Sequence, residues 1–227
     1  MTFYEEIVEA TKVEMAEFEN IPFVQEGVRG NISLESYVAF LEQAYHHVRH
    51  TTPLLMAAGA RTPERLGWVR KYLAEYIEEE IGHDEWILND IKACGSDAEA
   101  VRNSEPAFAT ELMVSFLYDT INRKNPLGLF GMGFVLEGMS SQLATGAASL
   151  IQKGLGLPDE AFTYLVSHGT LDLDHIKFFE KIMNMLDNDE DKACVIHCAK
   201  AMYKLYGDIF RTLELKTAEP KLKMATA

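Results

Sequence analysis

The chain has 227 residues, 48% hydrophobic and 25% charged, with no compositional break, so one domain with a substantial core is expected, ending in a short flexible tail from about residue 216. The formal net charge of −14 argues against a nucleic-acid partner, since grip on phosphate needs clustered Lys and Arg, and only Lys216, Lys221 and Lys223 gather, in that tail. The start lacks the basic flank and apolar core of a leader, the apolar stretch 127–151 is interrupted by Glu137, Ser140, Ser141 and Gln142, and an odd three cysteines suit free thiols; a cytoplasmic protein with no membrane span is expected.

Asn31 to Ser33 is a helix-start signal, and Leu34, Val38, Leu41, Tyr45 and Val48 then recur at helical spacing, predicting a helix that runs on through "HHVRHTTPLLMAAGA". Thr62 and Pro63 open a second long helix, "ERLGWVRKYLAEYIEEEIGHDEWILNDIKACG", which stops at Gly95. Pro126 opens a third, "LGLFGMGFVLEGMSSQLATGAASLIQKG". Pro158 and Asp159 open a fourth that extends through Leu186, and "NDEDKACVIHCAKAMYKLYGDIFRTLEL" forms the last. No alternating Val/Ile/Thr run and no Asn-Gly or Asp-Gly dipeptide signals a strand or hairpin. The fold class predicted is an all-α bundle of about seven or eight helices.

Chemistry concentrates at three places on these helices. In "SHGTLDLDHIKFFEKI", His168, Asp172 and His175 are spaced by four and three residues, so at ~100° per residue they fall within about 60° of one another on one helix face. In "EYIEEEIGHDEW", Glu80 and His83 have the Glu-x-x-His spacing by which carboxylate-bridged bundles hold metal, with Glu79 as a rival for the acid. Glu137 is a carboxylate inside the most apolar helix, where an unpaired charge costs several kcal/mol and demands a cation or metal. Three histidines and three carboxylates suffice for two divalent irons with positions left open for dioxygen.

With "EEIGH" at 79–83, the central Glu137 and "HGTLDLDH" at 168–175, the chain resembles the heme-oxygenase-like dimetal oxidases, often labelled iron-containing redox enzymes. These share a fold with the TenA thiaminases and the pyrroloquinoline quinone synthase PqqC, and the resemblance spans residues 30 to about 213. It implies a seven-helix bundle, commonly a homodimer, that holds two iron ions, or an iron–manganese pair, and uses dioxygen as co-substrate to oxidise a small organic molecule. On this likeness His83, Glu137, His168, Asp172 and His175 match ligand positions. Some members carry a Glu seven residues before the first His, where this chain has Tyr76; Glu80 is taken as the sixth ligand because it matches the members with Glu-x-x-His, with Glu79 as the fallback. Glu137 and Asp172 are the carboxylates expected to act in catalysis.

Other signals are weaker. "YHHVRH" places His46 and His50 one turn apart, and with Tyr76 they are candidates for the substrate pocket, His47 pointing elsewhere; a heme on His46 or His50 would leave Glu137 and the 168–175 set without a role. Cys194, His197 and Cys198 share a face but are one ligand short of structural zinc. No activated-cysteine pattern surrounds Cys94, which disfavours a thiaminase. Two alternatives stand beside the di-iron reading: a metal-free TenA- or PqqC-like enzyme using the same acids and histidines as acid–base groups, and a ligand-binding protein without catalysis.

Overall fold

The computed structural model of the chain describes residues 1–139 and 144–217, with the side chains of Thr145, residues 168–176 and Phe178 outside the description. The described residues form only helices and their connections, and no helix among them is long and apolar enough to cross a membrane. Three short helices come first: α1 (Phe3–Ala10), α2 (Lys12–Glu19) and α3 (Pro22–Val28). A capping box starts α1, in which Thr2 and Glu5 each accept from the other's backbone N–H, and Pro22 opens α3 where its missing N–H costs nothing.

α4 (Leu34–Val48) is capped by Ser33, whose side chain accepts from the Ser36 N–H. The predicted helix does not run straight on. It stops at Arg49 and restarts as α5 (Thr51–Arg61), because Pro53 has no N–H to give the Arg49 carbonyl and disfavours helical backbone just before it. The second predicted helix is likewise two, α6 (Val69–Glu80) and α7 (His83–Ala93). Ile81 is extended, with ψ 121°, and Gly82 takes φ 91°, a left-handed conformation that glycine adopts without steric cost. α8 (Ala98–Arg102) and α9 (Phe108–Asp119) follow, then α10 (Leu129–Met139), α11 (Thr145–Leu155), α12 (Thr163–Met185) and α13 (Asp189–Thr212).

The apolar residues gather into two adjoining cores. One joins α10, α12 and α13 to the N-terminal helices and to α5 and α6; the other lies between α4, α7 and α11. Asp90, fully buried on α7, fastens the first turn of α12: its carboxylate accepts from the backbone N–H groups of Thr163 (3.1 Å) and Tyr164 (2.9 Å) and from the Thr163 hydroxyl. It thereby fills, from another helix, the place of an N-cap for the longest predicted metal-bearing segment. The stretch Glu214–Lys216 is laid back on α4, with Ser33 N–H donating to the Lys216 carbonyl (2.7 Å) and Lys216 N–H donating to Ser36 Oγ (2.8 Å). The remainder of the expected tail, from residue 218, lies outside the described residues.

Candidate metal centre

Glu80 is the last residue of α6 and His83 the first of α7, so the break at Ile81–Gly82, rather than one turn of continuous helix, brings them together. Both are buried, at 6% and 2% exposure, and His83 Nδ1 lies 3.1 Å from Glu80 Oε2. Two donors ~2.0–2.2 Å from one ion and at right angles to each other stand ~3 Å apart, so this separation suits neighbouring positions on a shared cation. No Lys or Arg among the described residues pairs with Glu80. Its neighbour Glu79 is exposed. The His83 ring is held flat against Trp86, one turn on, at a centroid distance of 4.0 Å.

Glu137 is 5% exposed on α10 and accepts a hydrogen bond at Oε1 from the Tyr76 hydroxyl of α6. Tyr76 is itself braced edge-on by Phe179 of α12 (5.4 Å), which also meets Phe130 of α10 (6.1 Å). Three helices thus fix one carboxylate. His168, Asp172 and His175 stand on α12, an unbroken helix, but their side chains lie outside the described residues. Among the described residues no three His, Cys, Asp or Glu side chains form a metal-binding group.

Glu80, Glu137 and Tyr76 share the wall of a cavity of ≈ 150 Å³, bounded also by α3, α4, α11 and the end of α13. The wall is otherwise mainly aliphatic and aromatic, and it includes His47. His46 and His50 are placed differently. His46 Nε2 meets Ser104 Oγ at 3.0 Å, His50 Nδ1 meets the Tyr118 hydroxyl at 3.2 Å, and burial, then the nearby Arg49, holds both imidazoles below their ordinary pKa. The signal for His47 was in the spacing: Phe40, His47 and Thr51 recur at seven and four residues and all face the cavity. Burial pushes the Cys94 thiol up to about 11 and that of Cys198 to about 12, the reverse of what a nucleophilic thiolate needs.

A family model described as iron-containing redox enzyme matches residues 38–207. No protein of curated function matches the sequence. Among solved structures, a domain with a heme oxygenase-like fold from Shewanella denitrificans is similar with a TM-score of 0.84 at 21% identity, covering 94% of this chain and 92% of that one. A TenA homolog from Pseudomonas syringae pv. tomato reaches 0.77 at 12% identity, covering 92% and 91%. Heme oxygenase-1 from the cyanobacterium Synechocystis, in complex with heme, reaches 0.73 at 15% identity, covering 94% and 93%. At such identities these three establish the all-α, heme oxygenase/TenA-like fold and nothing narrower.

Proposed function

The chain belongs to the iron-containing redox enzyme family, and from that premise we propose that it is a dioxygen-dependent oxidoreductase whose non-heme di-iron centre oxidises a small organic molecule. The observation that carries this reading is the buried Glu80–His83 pair, with Glu80 and a second buried carboxylate, Glu137, in the wall of one apolar cavity. Burying two carboxylates in such a wall is costly unless cations join them, and an oxygen- and imidazole-rich donor set suits iron.

Glu80, His83, Glu137, His168, Asp172 and His175 would hold two iron ions, or an iron–manganese pair. When bound, the metal pair supplies the electrons and the coordination positions for reducing dioxygen beside the substrate. The chain's own part is positioning. Tyr76 holds Glu137 by its hydrogen bond, Trp86 sets the plane of His83, and the apolar wall keeps bulk water from the reacting groups. Glu137 and Asp172 are the carboxylates assigned to catalysis. The same reading takes the protein to be a cytoplasmic homodimer that binds neither nucleic acid nor membrane.

The test is loading with Fe(II) under anaerobic conditions followed by exposure to oxygen. Close to two iron atoms per chain, and a near-ultraviolet to visible absorption band that develops with oxygen, are expected of the wild type. Asp172→Ala and His175→Ala should lose both. A wild-type protein that takes up no iron and stays colourless overturns the di-iron reading and leaves metal-free acid–base catalysis or ligand binding in its place.

A further inference from the structure

One side of the cavity is a cage of rings. Phe18, Phe23, Phe40, Tyr206 and Phe210 all line it, and Phe210 meets each of the other four, edge-on to Phe18 (5.4 Å) and Tyr206 (5.0 Å), which are themselves stacked (5.6 Å). Tyr206 keeps accessible surface although burial alone pushes its phenol well above the ordinary tyrosine range. Part of that surface faces the cavity, whose wall Tyr206 helps to form. Its hydroxyl has no hydrogen-bond partner among the described residues, and the same holds for the Thr51 hydroxyl in the same wall. His47, one turn before Thr51, meets the Tyr206 ring edge-on at 5.7 Å and so links the two.

Charge narrows what can sit there. No Lys or Arg among the described residues lines the cavity, while Glu80 and Glu137 do. On the ring-walled side an anionic group would shed its hydration with no Lys or Arg among the described residues to offset the loss and only two hydroxyls to meet it, whereas a neutral polar group needs only two hydrogen bonds. A volume of ≈ 150 Å³ is on the order of ten water-sized spheres, enough for a ring with a short chain.

We propose that the ring-walled side of the cavity is the substrate's seat and takes a molecule with an apolar body and no anionic group, its hydroxyl-type polar group held by Tyr206 and Thr51. This rests on the reading that the reaction occurs in this cavity, but it is tested on metal-free protein, so its failure is separate from failure of the iron test.

Three probes share one body: 4-phenylbutan-1-ol, 4-phenylbutanoate and butylbenzene, titrated calorimetrically at neutral pH. The alcohol is expected to bind most tightly and the carboxylate at least tenfold more weakly. Tyr206→Phe and Thr51→Val keep the shape of the wall. Each should reduce the alcohol's advantage over butylbenzene by roughly two- to tenfold, the worth of one hydrogen bond, while leaving butylbenzene itself unchanged. Because that ratio is taken within each variant, a general loss of folding does not mimic it. Equal or tighter binding of the carboxylate, an unchanged ratio in both variants, or no binding of any probe overturns the proposal.

Discussion

Glu137 depends on a residue that never touches it. Gly133, one turn earlier on α10, has no side chain because a Cβ there would lie 2.2 Å from the Phe179 ring, the ring that braces Tyr76 against Glu137. Gly133→Ala must displace Phe179, and overpacking of this kind costs about 1–3 kcal/mol. Gly138, on the same helix, is the control: among the described residues its Cβ would meet nothing within 4 Å, so Gly138→Ala should be neutral or stabilising by up to about 1 kcal/mol. Urea unfolding of the two variants compares them directly, and equal effects would remove Gly133 from the argument. At this scale a sequence speaks through incongruity. Glu137 stands out because a carboxylate is foreign to "GMGFVLEGM", whereas Glu80 and Glu79 look alike until the turn at Ile81–Gly82 sends one inward and leaves the other exposed. His47 was hidden for a related reason: between two other histidines, only its register with Phe40 and Thr51 separates it from them.

Between elements, polar clamps do what apolar periodicity cannot, which is to fix how one helix end meets the next. Asp191, 1% exposed in the first turn of α13, accepts from both terminal nitrogens of Arg65 (2.6 and 2.9 Å) and from Asn125 (2.8 Å), tying that turn to the segments before α6 and α10. The Arg65 guanidinium first, with help from Asn125, holds the Asp191 carboxyl below its ordinary value. A depressed folded pKa contributes stability that is complete above the unfolded value near ~4 and is lost as pH falls through the folded one. Asp191→Asn should therefore cost about 1–2 kcal/mol at pH 7, at the low side because half of the Arg65 side chain is in water, and its deficit against wild type should shrink below about pH 4. Denaturant unfolding at pH 7 and pH 3 reads the difference; a deficit that does not change with pH would mean that the charge is irrelevant. Most long helices from α4 onward are plain in the sequence because apolar residues recur every three or four positions for several turns; α9 (Phe108–Asp119), between the predicted helices that end at Gly95 and open at Pro126, is the exception. The helices α1 to α3 are not, being seven or eight residues each and held by the core they pack on rather than by their own periodicity. The breaks after Val48 and Glu80 escape notice because the apolar pattern continues across them while the backbone does not.

For the molecule as a whole, the proposed ligands come from α6, α7, α10 and α12, from residue 80 to residue 175, so metal would add a cross-link to helices that already meet through packing and through the Asp90 and Tyr76 hydrogen bonds. A site spread in this way exists only in the folded chain, and its binding free energy adds directly to folding. At a free metal concentration a hundredfold above Kd the gain is about 2.7 kcal/mol, which for a chain of this length corresponds to a rise in Tm of roughly 5–10 °C. The net charge of −14 works in the same direction at low salt by enriching divalent cations near the surface, so a fair comparison holds ionic strength fixed. Anaerobic melting with and without Fe(II) is the measurement, on wild type and on Glu80→Gln and His83→Gln. Because each variant is compared with its own metal-free form, its intrinsic loss of stability cancels and only the response to iron remains. The wild type should gain most of that rise and both variants much less; a wild type indifferent to Fe(II), or variants that gain as much as it does, would place iron binding away from the pair at the α6–α7 break.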